Sequence, residues 1–194
     1  YVVILLLCSN ISLMLDTVKS RVNRLDFSRY TDAEIRRILE LNLLDAGDDS
    51  GVLVYADGLP GRAIAYFQDG EINNIRAELM GVIETLASGG ASGRIKCTKY
   101  ISDLKDRKEF VFFTLLSFYR DIAQTARYGK YAELQNKQQT AAISALAGNI
   151  GFYKAEDCIE MIDRTWKRLK QNVNYDLAVS NMLIKIPVSY THLR

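Results

Sequence analysis

Proline is almost absent from the chain: Pro60 and Pro187 are the only two. Proline is the residue a helix interior tolerates least, because it lacks the N–H and its ring clashes with the preceding turn. The long proline-free run between the two is filled with apolar residues at three- and four-residue spacing, which predicts an almost entirely helical body. Hydrophobic residues make up 48% and charged residues 25% of 194, enough apolar surface for a packed core and too much for a disordered chain.

Local signals set the expected helices. Thr31-Asp32-Ala33-Glu34 fits a capping box, opening a helix with Ile35, Ile38, Leu39 and Leu43 that ends before Gly47. A short helix carries Val52, Leu53 and Tyr55, Asp57-Gly58 turns the chain, and Pro60 suits the first turn of a helix to about Gln68. Glu71 to Ala87 forms another, with Ile72, Ile75, Leu79, Val82, Ile83 and Leu86 as its apolar face. Helices are then expected from about Lys96 to Arg127 with a break near Ser102-Asp103, from Tyr131 to Asn149, and from Lys154 to Lys170. Asn172 or Asn174 can cap a last helix through Leu177, Val179, Met182, Leu183 and Ile186. The architecture is a helical bundle.

The beginning differs. Tyr1 to Cys8 is apolar, lacks a basic leader, and is far shorter than the roughly 20 residues of a membrane span. It reads as an interior strand of a parallel sheet. One strand cannot build that sheet, so the chain is expected to be a fragment of a larger protein. The tail 187–194, which holds the only histidine, His192, continues no pattern and is assigned no role.

Net charge is +2, unevenly spread. Residues 1–90 carry 8 basic and 13 acidic side chains, and residues 91–194 carry 17 and 10. The sign changes at Ser88-Gly89-Gly90-Ala91-Ser92-Gly93, which reads as a linker between two domains. Basic clusters Lys105, Arg107, Lys108 and Lys167, Arg168, Lys170 are interspersed with acids and apolar positions, so they read as solvated faces.

Several chemistries are excluded. A single histidine rules out a histidine-based triad or a multi-histidine metal site in the body. Three scattered cysteines (Cys8, Cys97, Cys158) make neither a disulfide framework nor a thiolate metal site, and fit a reducing compartment, the cytoplasm. No phosphate-binding loop with its lysine occurs. Asp48-Asp49 and Glu156-Asp157 read as solvated helix starts. The residue of interest is Arg21, after Ser20 at the end of a short helix expected over about Ser12 to Lys19, before the extended stretch Val22 to Phe27. An arginine so placed can reach a nucleotide on a neighbouring subunit; it equally suits a surface position favourable to the helix dipole.

In order and spacing these segments resemble the clamp-loader branch of the AAA+ proteins, most of all the delta-prime type of DNA polymerase III. Ser9-Asn10 is similar to that family's sensor 1, and Ser20-Arg21-Val22 to its serine-arginine-cysteine motif. Ala56-Asp57-Gly58-Leu59-Pro60-Gly61-Arg62-Ala63 looks like its lid segment, Tyr119-Arg120-Asp121 resembles part of its collar, and Asn172-Val173-Asn174 the caps before its last helix. The chain departs from the pattern at Val22 in place of cysteine and Leu59 in place of serine. Gly61 stands where ATP-binding relatives carry their sensor 2 arginine. Arg62 lies one residue on, rotated about 100° around a helix, so it is not expected to reach a phosphate.

The resemblance implies a mostly α chain. Residues 1–27 would be the remnant of an α/β AAA+ core, 28–90 a helical lid, and 91–186 a helical collar. It implies a subunit that binds no ATP of its own, with ATP and Mg in the neighbour. Arg21 would be a trans-acting finger and Asn10 a sensor 1 relic. Implied partners are the tau/gamma and delta subunits and, indirectly, the sliding clamp and primer-template DNA, with no membrane. Gly58, Pro60, Gly61 and Arg62 would form the lid motif, and Arg120, Asp121, Trp166, Asn172 and Asn174 would belong to the collar. Arg120 and Asp121 suit an ion pair or a cap for a neighbouring segment. Phe118, Tyr128, Tyr131, Phe152 and Trp166 are candidates for aromatic surface shown to neighbours, Trp166 alternatively for core. An ATP-binding tau/gamma type, a basic nucleic-acid-binding module and a plain assembly domain are the other readings.

Overall fold

The computed structural model describes residues 2–8, 11–44 and 50–186, and among these every regular element is helical. A 3₁₀ turn over Ile11–Leu13 and the short α1 (Asp16–Lys19) precede the body. The body comprises α2 (Asp32–Leu41), α3 (Ser50–Ala56), α4 (Pro60–Gln68), α5 (Ile72–Ser88), α6 (Ala91–Asp103), α7 (Lys108–Tyr128), α8 (Thr140–Ile150), α9 (Phe152–Leu169) and α10 (Tyr175–Lys185). No helix among the described residues is long and apolar enough to cross a membrane.

α7 is the axis of the bundle. Phe112, Phe118, Tyr119 and Ile122 on it are essentially without solvent exposure, because α9, α8, α5 and α3 pack around it. Phe118 is therefore core, not the neighbour-facing aromatic expected of it. Burying side chains of this size stabilises by about 1.5–3 kcal/mol each. Trp166 on α9 stacks on Phe112 with centroids 5.4 Å apart, and Lys170 Nζ lies 5.2 Å from its indole centroid, so the ring is half-buried with one edge open.

Where the helix signal was local, it holds. The Thr31 hydroxyl accepts from the Glu34 amide while the Glu34 carboxylate accepts from the Thr31 amide, the reciprocal capping box. Those hydrogen bonds hold the Glu34 carboxyl below its ordinary range. Asn174 caps α10 by accepting from the Leu177 amide at 3.0 Å. Asn172 instead takes a left-handed conformation (φ 62°) in the turn after α9.

Other expectations are corrected. Residues 2–8 form no strand and are exposed. A strand exists only by pairing, and no described segment supplies a ladder neighbour. Leu43 lies beyond the end of α2, exposed, at φ 57°. The stretch Ser88 to Gly93 connects α5 to α6 through Gly89-Gly90 alone, and α6 begins at Ala91 rather than Lys96. The buried core continues through this junction, with α5 packed on α6, α7 and α8. The long helix expected over Tyr131–Asn149 is replaced by two 3₁₀ turns and an irregular loop before α8, because buried side chains described below capture its backbone. Leu177 points to solvent.

The cysteines differ sharply. Cys97 and Cys158 are buried, and burial pushes the Cys158 thiol up to about 12 against a smaller opposing hydrogen bond with Tyr119. Cys8 is exposed. Because the thiolate is the reactive form, one thiol per folded chain should react quickly with a thiol reagent at neutral pH, and all three after unfolding. Mass spectrometry of timed labelling checks this; fast labelling of Cys158 in the folded chain would contradict the packing of α7 on α9.

Candidate functional site

Arg21 follows the short helix α1, whose last turn is closed by Ser20 Oγ donating to the Thr17 carbonyl at 3.2 Å and the Arg21 amide donating to the Val18 carbonyl at 3.0 Å. Lys19 pairs back to Asp16 at 2.6 Å, leaving Arg21 exposed beyond them. No described residue before Ile35 is buried. Val2 through Leu7, Leu13, Leu15, Val22, Leu25 and Phe27 present their apolar side chains to solvent. Ser9 and Asn10 lie outside the described residues.

The segment from Ala56 to Ala63 forms a tight corner. Gly58 sits at φ 74°, where a side chain is strained, and a Cβ there would stand 2.6 Å from Arg29 Cβ and 2.9 Å from the Tyr30 carbonyl. The Tyr30 amide donates to the Gly58 carbonyl at 2.9 Å, and Arg29 binds the Asp57 carboxylate and carbonyl. Pro60 starts α4, and Gly61 faces open space. Arg62 turns inward: it pairs with Glu109 at the start of α7 and lies 5.1 Å from the Phe113 ring centroid. Arg107 bridges Asp69 and Glu71, each at 3.0 Å, and so fastens the α4–α5 corner to the same end of α7. Arg107 is thus engaged, while Lys105, Lys108, Lys167, Arg168 and Lys170 are exposed.

Asp121 is fully buried and caps the loop before α8. Its carboxylate accepts from the Gln135 amide (3.1 Å), the Asn136 amide (2.7 Å) and Asn136 Nδ2 (2.8 Å). Asn136 Nδ2 also donates to Ser117 Oγ at 3.1 Å, and Asn136 Oδ1 accepts from the buried guanidinium of Arg76 on α5. Gly51 on α3 makes room for that guanidinium, since a Cβ there would fall on top of it. Sequence reasoning found Asp121 but missed Arg76, Ser117 and Asn136. The available signal was Arg76 itself, a cation at the position four residues after Ile72 and three before Leu79 on an apolar face.

A cleft of about 900 Å³ opens between the Arg29–Gly58 corner and the α7–α9 face. Its floor is apolar (Leu53, Phe113, Leu116, Leu134, Ile159), and Arg29, Arg36, Arg120 and Lys137 stand at its edge with Asp32, Asp57 and Asp163. Tyr128 and Tyr131 are exposed at the far end of α7, and Phe152 beside them is half-buried. Among the described residues no group of three or more His, Cys, Asp and Glu side chains is placed to hold a metal ion. Set against protein-family models, curated proteins and solved structures, the chain matches none.

Proposed function

We propose that the chain serves as a delta-prime-type clamp-loader subunit of the DNA polymerase III assembly. It would complete the ATP site of a neighbouring tau/gamma subunit while its helical bundle takes part in the pentamer, so that the sliding clamp is loaded on primer-template DNA in the cytoplasm. The observation that carries this reading is Arg21, exposed just past a short helix closed by Ser20, in a segment whose apolar side chains have no cover within the described residues. A fixed planar cation at a subunit edge suits a transferring phosphate. The ordered motif set and the helical body support the reading further. The ATP-binding tau/gamma alternative fits less well, because Arg62, the nearest cation to the sensor 2 position, is engaged with Glu109 and Phe113.

Assembly tests it. The full-length subunit containing these residues, mixed with tau/gamma and delta subunits, should elute as one complex that loads the clamp in an ATP-dependent manner. A mixture in which it elutes alone, or a complex equally active without it, would overturn the assignment. ATP binding by the isolated full-length subunit would favour the tau/gamma type.

A further inference from the structure

We infer that the face between α7 and α9 binds single-stranded nucleic acid directly, a contact independent of the clamp-loader reading. Arg120 and Arg127 lie two turns apart on the exposed side of α7, about 10 Å along its axis. Lys137 lines the same cleft as Arg120, and Lys130 follows Arg127 in the turn after α7. Among the described residues none of these four cations has a carboxylate within ion-pair distance. Of the acids lining the cleft, Asp57 is bound to Arg29 and Asp163 to Lys167 at 2.6 Å, and Asp32, in the first turn of α2, makes no ion pair with any of the four cations. The track therefore keeps its positive charge available to phosphates.

Aromatic rings continue the track. The Arg127 guanidinium lies 5.5 Å from the Tyr128 ring centroid and 4.9 Å from that of Phe152, and Lys130 Nζ lies 5.2 Å from that of Tyr131. Tyr128 is 50% and Tyr131 78% exposed, so each ring keeps surface open to solvent beside the cation that lies over it. Exposed rings interleaved with unpaired cations at the end of a groove are what single strands use: phosphates follow the cations, and unpaired bases stack on the rings. A duplex keeps its bases stacked inside and offers no such contact. An acidic peptide would use the cations but not the rings.

Anisotropy of a labelled oligo-dT, with the whole chain as titrant, tests the inference. Affinity should fall with salt between about 50 and 200 mM with a logarithmic slope near −3, the value for about four phosphates neutralised on a single strand. Arg120→Glu with Lys137→Glu should flatten that slope and weaken binding at least about tenfold. Tyr131→Ala should weaken binding at least about fivefold, and Tyr131→Phe should restore it. These positions are exposed, and an unchanged helical circular-dichroism spectrum shows that the fold is intact. Absence of binding at low salt, equal affinity for a duplex of the same length, equal competition by polyglutamate, or wild-type binding by Tyr131→Ala would each overturn it.

Discussion

On the proposed clamp-loader role, replacing Arg21 by alanine in the full-length subunit should leave the assembly formed and cut clamp- and DNA-stimulated ATP turnover by about 10³-fold or more. The expectation rests on where the side chain stands. Arg21 follows a closed helical turn, it is exposed, and none of its surroundings belongs to the buried core. Its loss therefore removes charge without disturbing packing. The effect should appear in turnover rather than in subunit affinity, because a guanidinium that stabilises the transferring phosphate acts mainly in the transition state. Arg21→Lys keeps the charge but loses the planar fork, so it should rescue only part of the loss. Arg24→Ala is the control: Arg24 pairs locally with Asp26 at 2.7 Å, and its loss should change turnover little. Unchanged ATPase in Arg21→Ala would remove the finger role while leaving the bundle's part in assembly open to its own test.

The second large effect is on stability. Asp121→Ala should destabilise the fold by about 3 kcal/mol or more, because each buried donor left without an acceptor costs about 1–3 kcal/mol. Three donors from Gln135 and Asn136 lose their acceptor at once, and Asn136, which accepts from the buried Arg76 guanidinium, loses what holds it in place. Set against a total of about 5–15 kcal/mol for a domain, that is a large share. Asp121→Asn keeps the shape and one acceptor but removes the charge, so it should fall between wild type and alanine. Arg120→Ala, the exposed neighbour, should stay within about 0.5 kcal/mol. Urea unfolding followed by circular dichroism reads all three. If Asp121→Ala unfolded at the same midpoint as Arg120→Ala, the node would not be holding the loop before α8.

The same node explains how far the fold was legible in the sequence. Helix signals that are satisfied within one turn could be read directly: Thr31 with Glu34, Pro60 at the start of α4, Asn174 at the start of α10. The apolar face of α5 could be read as well, and each of its six named residues is buried. What failed depends on partners far along the chain. Residues 131–139 look helix-forming by composition. Yet Asp121, at least 14 residues earlier, captures two of their backbone amides, and tertiary hydrogen bonding overrides local propensity. The expected strand at the start failed for the converse reason, since its pairing could never be supplied locally. For the candidate sites, Arg21 was visible from its place after a short helix. Arg62 was doubted on angular grounds, while its engagement with Glu109 was not foreseeable. The tyrosines at and after the end of α7 were noticed as aromatic surface, but the adjacency of Arg127 to Phe152 on α9 emerges only when the two helices pack antiparallel.

The single guanidinium of Arg94 donates to the carbonyls of Leu183, Ile184 and Ile186, at 2.7, 2.8 and 3.1 Å, and the Tyr175 hydroxyl donates to the Ile101 carbonyl at 3.0 Å. α10 is thus sewn to α6 at both of its ends. Peeling of the last helix is consequently not a private fraying event: opening either end must release a helix that begins 84 residues earlier (Ala91 against Tyr175), so amide protons of α6 and α10 should exchange with deuterium as one cooperative unit.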